Sequence, residues 1–472
     1  MCRSMITCGL VWILTIGISE AANHYVRDGG SASTAGTGSC TSWVTANACD
    51  DLPATLVRGD SYFIADGSYG TRVFSTATSG TTTITLKKAT AGDHGTDTGW
   101  DNTYGDGQAI WTGSWEFRSA YWDINGQVGG GPSDWAGTTT PLGFKLFGDG
   151  IGIYQQATDF DADNITIQHL EIDGTVTTPG FNRAIEIKYM NNLTLSYLYL
   201  HNVGFDCMGV TSGANNFTFQ YSKAYLCPIG QDAAHHGDLM EVQFGSFSDW
   251  IVRWNYFQDV VGTYLLGAHD TASITNYTIC GNIFHFKSKE SDTGNGTFGR
   301  LMAGSGPFTN AIISNNTIAG IFGASALGFY GATYGTGNVA QNNLWYEGTD
   351  NGYSFSYSDV SQSYNSHYNM ASVSGTGNEN PTGNPFVDIA NDNLRLTGPT
   401  TAGTSAATNC TTDMVGSVRG NDGVVDRGAL EFTGASSPAP VRLRIAWSEW
   451  LSVMFGVTWI TSKYLSRNRI RR

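Results

Sequence analysis

One eight-residue phrase recurs through the middle of the chain: NITIQHLE (164–171), NLTLSYLY (192–199), NFTFQYSK (216–223), WIVRWNYF (250–257), YTICGNIF (277–284), AIISNNTI (311–318) and NVAQNNLW (338–345). Apolar residues alternate within each phrase, the period-2 pattern of a strand with one buried face. The sixth positions are His169, Tyr197, Tyr221, Asn255, Asn282, Asn316 and Asn343, spaced 28, 24, 34, 27, 34 and 27 residues apart. A strand that returns at such intervals reads as one coil of a solenoid. The last four sixth positions are asparagine, and stacked coils would let those amides hydrogen-bond up a column. The pattern predicts an all-β parallel β-helix, its seven ladder positions spanning roughly 29 Å at about 4.8 Å per coil.

Further strands precede the later phrases: AIEIKY (184–189), MGVTS (208–212), LMEVQF (239–244), YLLGAH (264–269), LMAGS (301–305) and LGFYGA (327–332). Upstream, TTTITLKKA (81–89), QAIWTG (108–113), AYWDING (120–126) and GFKLFG (143–148) read as early coils broken by loops. Residues 22–75 read as an N-terminal cap with the first coils, covering an edge strand that would otherwise pair with neighbours. Within them we expect strands at His24–Arg27 and Ser61–Ala65 and a helical turn near Ala46–Leu56. The β-helix itself is assigned to 76–432, closing with NPFVDIANDNLRLTG (384–398) and DRGALEF (426–432).

The two ends differ from this body. Arg3, the apolar run Met5–Ile18 and Ser19-Glu20-Ala21 have the form of a secretory signal at 1–21, which implies a secreted or cell-surface protein. Residues 433–444 read as a linker. Residues 445–472 are apolar and end in a basic cluster, the pattern of an anchor or sorting segment attached to a membrane or cell surface. Beyond the signal, six cysteines remain. Cys40–Cys49 is the first candidate disulfide, and Cys207–Cys227 is a second, joined by stacking of one coil on the next.

Residues 22–437 carry 17 Lys/Arg against 38 Asp/Glu, a net charge of −21. Such a body argues against a nucleic-acid partner. It would also repel an acidic polysaccharide unless a basic patch or a bound cation intervened. Monomer and homo-oligomer both stay open.

The ladder phrases, the segment YVRDGGS…GDSYFIADGSYG and the ending NPFVDIANDNLRL…DRGALEF together resemble secreted bacterial right-handed parallel β-helix proteins, the pectate-lyase-like superfamily. Members of that superfamily often close with a phrase like Asp-x-Gly-Ala-x-Glu-Phe. The resemblance covers about 24–432 and implies a right-handed β-helix acting on or binding polysaccharide. The superfamily holds lyases, hydrolases, epimerases and non-catalytic adhesins, so chemistry has to come from the site. The chain lacks the Asn-Thr-Asp followed by Gly-Asp-Asp of polygalacturonase-type hydrolases and the Arg-x-Pro-x-x-Arg signature of pectate lyases.

The densest polar stretch is QDAAHHGDLMEVQ (231–243), inside a long interval, where added residues on a solenoid usually build the binding face. With Met240, Val242 and Phe244 inward, Glu241 and Gln243 point outward. His236, Asp238, Glu241 and Arg300 are the candidate catalytic residues, and Asp206, Asp238 and Glu241 the candidate ligands for Ca²⁺. His235, Gln243, Lys188, His269 and Tyr330 are assigned to substrate, with Lys287, Lys289 and Arg300 as a local basic group. Trp43, Trp111, Trp115, Trp122, Tyr330 and Tyr334 are candidate sugar-stacking residues. This inventory favours β-elimination from a uronic-acid polymer, with His236 or Arg300 as base. Hydrolysis would instead pair Asp206 with Asp238 or Glu241. Binding without catalysis would need the aromatics alone. The sequons at Asn164, Asn192, Asn216 and Asn276 read as turn chemistry.

Overall fold

The computed structural model describes residues 21–148, 152–154, 162–175, 182–229, 237–260, 267–269, 272–287, 307–320, 335–347, 360–370 and 374–434, those at 267–269 by backbone only. The chain divides into units at Met1–Phe432 and Thr433–Arg472. The signal (save Ala21), the tail and nearly all of the linker lie outside the described residues, as do the strand expectations at 301–305 and 327–332. No described helix is long and apolar enough to cross a membrane.

In the middle of the described chain a coil steps through three sheets. Ile185–Lys188 belongs to a seven-stranded sheet, Leu193–Ser196 to a thirteen-stranded sheet and Tyr199–His201 to an eleven-stranded one; Met208–Thr211 then returns to the first. All pairing between coils is parallel, and the fold is a right-handed parallel β-helix. The alternation read from sequence is observed: Ile165, Ile167, Leu193, Leu195, Phe217 and Phe219 are buried in the core. Asn23–Val26 and Ser61–Ile64 are already the first two strands of the thirteen-stranded sheet. At the other end, the antiparallel pair Phe386–Asp388 and Asn393–Leu396 and the segment through Leu430 form a second apolar cluster with Tyr256, Leu344 and Tyr346.

The asparagine column is present and fully buried. Asn255 donates its backbone N–H and Nδ2 to Asn282 Oδ1, each at 3.0 Å, and Asn282 repeats both bonds to Asn316. Asn316 does the same to Asn343, which continues to Asn365. Each Nδ2 also reaches a carbonyl one coil back, Val252 for Asn282 and Ile279 for Asn316. The polar groups of the corner between two sheets are thereby paired within the protein.

The register differs from the sequence reading by one residue at a single point. Gln220 pairs with Arg253, so Tyr221 is level with Trp254, and Asn255 is level with Ser222. His169, Tyr197, Tyr221 and Trp254 therefore form a separate stack, with centroid spacings of 4.6, 5.1 and 4.9 Å. Ser222 heads the asparagine column, donating its N–H to Asn255 Oδ1. The stacked residues all take the left-handed conformation that turns the corner. Asn164, Asn192 and Asn216 form a third, exposed column at another corner, also left-handed, where asparagine is tolerated best.

Other expectations change as well. Ala46–Leu56 forms turns, because Cys49 is drawn into bridges with Val26 and Ala32. Disulfides join Cys40–Cys49 and Cys207–Cys227, and a third, Cys280–Cys410, ties the C-terminal segment to the helix. Trp43, Trp111, Trp115 and Trp122 are buried and make no sugar platform; Trp111 and Trp115 pack on Phe144, filling the early coils. Tyr330 and Tyr334 lie outside the described residues.

Replacing Asn316 by Ala removes the acceptor of two donors on Asn282 and the donor to Ile279. We expect a loss of about 2–4 kcal/mol, read from the denaturant midpoint. Asn192→Ala, in the exposed column, should cost only about 1 kcal/mol.

Candidate metal centre

The seven-stranded sheet brings the site residues together. Ile185, Met208 and Met240 are level on adjacent strands, so Arg183, Asp206 and Asp238, each two residues earlier, stack where the chain enters the sheet. On the outward face Glu186, Gly209, Glu241 and Gly267 form one column, and Lys188, Thr211, Gln243 and His269 form the next. Three of the residues assigned to substrate thus share a column.

Asp206, Asp238 and Glu241 each present an oxygen within 4.8 Å of the others. All three are buried; Glu241 faces outward from the core yet is only 2% exposed. Asp206 Oδ1 accepts the Asp238 N–H at 3.0 Å, and Gln243 donates to Glu241 Oε1 at 2.8 Å. Arg183, which sequence reasoning missed, lies 2.7 Å from Asp206 Oδ2 and 3.2 Å from Glu241 Oε2. Burial and the charges of Glu241 and Asp238 push the Asp206 carboxyl well above the usual range, against the pull of Arg183. Among the described residues three carboxyl groups converge here, two of them bonded to the Arg183 guanidinium. Such a set of oxygen donors fits a hard cation such as Ca²⁺.

A second group, Glu171, Asp173 and His201, stands on the eleven-stranded sheet. Here Lys145 already supplies the positive charge, 2.6 Å from Glu171 and 3.1 Å from Asp173. Burial alone would raise the Glu171 pKa, but donors on His201, Lys145 and Gln108 outweigh it and hold the carboxyl at about 2. This group is internally neutralised and makes the poorer cation site.

A cavity of ≈510 Å³ lies between the seven- and eleven-stranded sheets, lined by Tyr154, Glu186 and Lys188 of the first and by Thr112, Phe147 and Asp173 of the second. Phe147 is 43% exposed there, and Lys188 pairs with Glu186 at 2.5 Å. Phe244, expected inward, is instead exposed at a left-handed turn. Lys287, just after a strand of the eleven-stranded sheet, binds Asp392 at 2.9 Å. His235, His236, Lys289 and Arg300, and the His269 side chain, lie outside the described residues. Arg183 carries a signal that could have found it: it stands at the same offset before its strand as Asp206 and Asp238 do before theirs.

No family model matches the sequence, and no curated protein matches it. Among solved structures the chain is similar to pectate lyase Pel9A, with 15% identity and a TM-score of 0.42 over 88% of this chain and 98% of that one. It is also similar to the PL6 family alginate lyase AlyGC, with 12% identity and a TM-score of 0.32 over 69% of this chain and 51% of that one. The fold assignment rests on the strand pairing itself.

The depressed Glu171 pKa makes a stability prediction. Its contribution is fully present above the ordinary value of 4.5 and is lost as pH falls through about 2. Between pH ~7 and ~3 wild type should lose about 2 kcal/mol more than Glu171→Gln in denaturant titrations. Equal losses in the two proteins would remove Glu171 from the acid sensitivity.

Proposed function

We propose that the chain is a divalent-cation-dependent polysaccharide lyase that cleaves a uronic-acid polymer by β-elimination. The observation that carries this reading is the convergence of Asp206, Asp238 and Glu241, with Arg183, at the edge of an outward face that also borders a groove. Asp206, Asp238 and Glu241 would hold Ca²⁺. When bound, the cation supplies Lewis acidity that draws charge from the sugar carboxylate and acidifies the adjacent C5 proton.

The chain's own residues have separate tasks. Lys188, Gln243 and His269 form the column beside the carboxylates and are assigned to positioning the polymer. Phe147 offers an exposed ring on the eleven-stranded side of that groove. His236, two residues before Asp238 in the chain, or Arg300 is assigned to removing the C5 proton, an assignment that rests on sequence. Hydrolysis asks for two carboxyls about 5–9.5 Å apart on either side of a glycosidic bond. Asp206 and Glu241 share one guanidinium instead, which supports the cation reading.

The test is a panel of uronic-acid polymers, with and without chelator. We expect new ultraviolet-absorbing unsaturated ends that disappear with chelator, and a loss of about 100-fold or more in Asp206→Asn and in His236→Ala or Arg300→Ala. New reducing ends without that absorbance would replace the lyase with a hydrolase. Retention on the polymer with neither product would leave a binding protein.

A further inference from the structure

Arg183 occupies a seat that the fold leaves open for it. Nε donates to Asp206 Oδ2 at 2.9 Å, Nη2 donates to Glu241 Oε2 at 3.2 Å, and the guanidinium lies 5.0 Å from the Phe205 ring. The remaining side is Gly209. A Cβ there would stand 2.9 Å from Cζ and Nη1 and 3.0 Å from Nε, and these are its three nearest atoms. Glycine inside a strand weakens it and often marks a close approach by another group. Gly209 stands between Glu186 and Glu241 in the outward column, and the approaching group is the guanidinium.

The same seat puts Arg183 in competition with a cation. Asp206 Oδ2 and Glu241 Oε2 face the guanidinium, and they belong to the carboxylates that would bind a metal ion. A guanidinium and a divalent ion held within a few ångströms in a buried setting repel strongly. Taking the guanidinium away from two buried carboxyls that it pairs with would also be destabilising. We propose that Arg183 is the resident counter-ion of this centre, seated on Gly209, and that a divalent cation displaces it over the sheet face to meet the substrate's carboxylate. The inference rests on the cation-dependent reading above and adds a role that reading does not require. Arginine suits the second task, because its planar fork binds a carboxylate through two parallel hydrogen bonds.

Two variants of the full chain test it by Ca²⁺ calorimetry. Arg183→Gln removes the competing charge. Gly209→Ala keeps the arginine but fills its seat, displacing the end of a flexible side chain rather than backbone. Both should bind Ca²⁺ on the order of tenfold more tightly than wild type, and both should melt lower in chelator and recover with Ca²⁺. At saturating Ca²⁺, Arg183→Gln should raise KM on a uronic-acid polymer, whereas Gly209→Ala should not. Wild type that binds Ca²⁺ while both variants bind equally or more weakly would overturn this inference alone, making Arg183 a structural strut. Equal rises in KM would overturn its substrate role. No Ca²⁺ binding by any of the three would overturn this inference and the cation reading together.

Discussion

Buried backbone hydrogen bonding at the corners is the constraint on which the rest of this helix depends. A strand passes its N–H and C=O groups to the coils on either side, but a tight corner breaks that exchange inside the protein. The column from Asn255 to Asn365 repairs it with paired amide bonds at about the same distance in every coil. Such a column also fixes register, since a slip of one residue would turn every buried side chain outward. Register is what sets Arg183, Asp206 and Asp238 at one level offset from their strands, and so what assembles the centre.

Charge separates the two carboxylate groups on the surface. Around Glu171 and Asp173 the donors Lys145 and His201 are supplied by neighbouring strands, and the Glu171 pKa falls. Around Asp206 burial and the charges of Glu241 and Asp238 exceed the pull of Arg183, and the pKa rises. One group is a salt-bridge network, whereas at the other burial and neighbouring carboxyls disfavour the charged form of Asp206. In a chain of net charge −15, a cation at that second place would also let an acidic polymer approach.

Much of the fold was legible because strand parity is a local property. The early strands at 84–88, 109–112, 122–125 and 144–147 fall inside the stretches read from alternation, and Met240 and Val242 point inward as expected. The three carboxylates were legible too, since two precede alternating strands and the third has outward parity. The aromatic stack was not: Tyr221-Ser222 and Trp254-Asn255 are adjacent pairs, and matching Tyr221 to Asn255 by phrase conceals the one-residue shift. Trp111 and Trp122 were misread although parity reports them: they share the inward face of their strands with Ala109 and Ile124.

The sequence by itself determined the strand faces, the coil repeat and the outward chemistry of Glu241, because these follow from backbone periodicity within a few residues. Tertiary structure decided which residues share a level, since that depends on the lengths of all the intervening loops. Only the stacked coils bring Arg183 across two levels to Glu241, over the space that Gly209 leaves empty. The ladder that announces the fold thus also determines, through register, which charges meet.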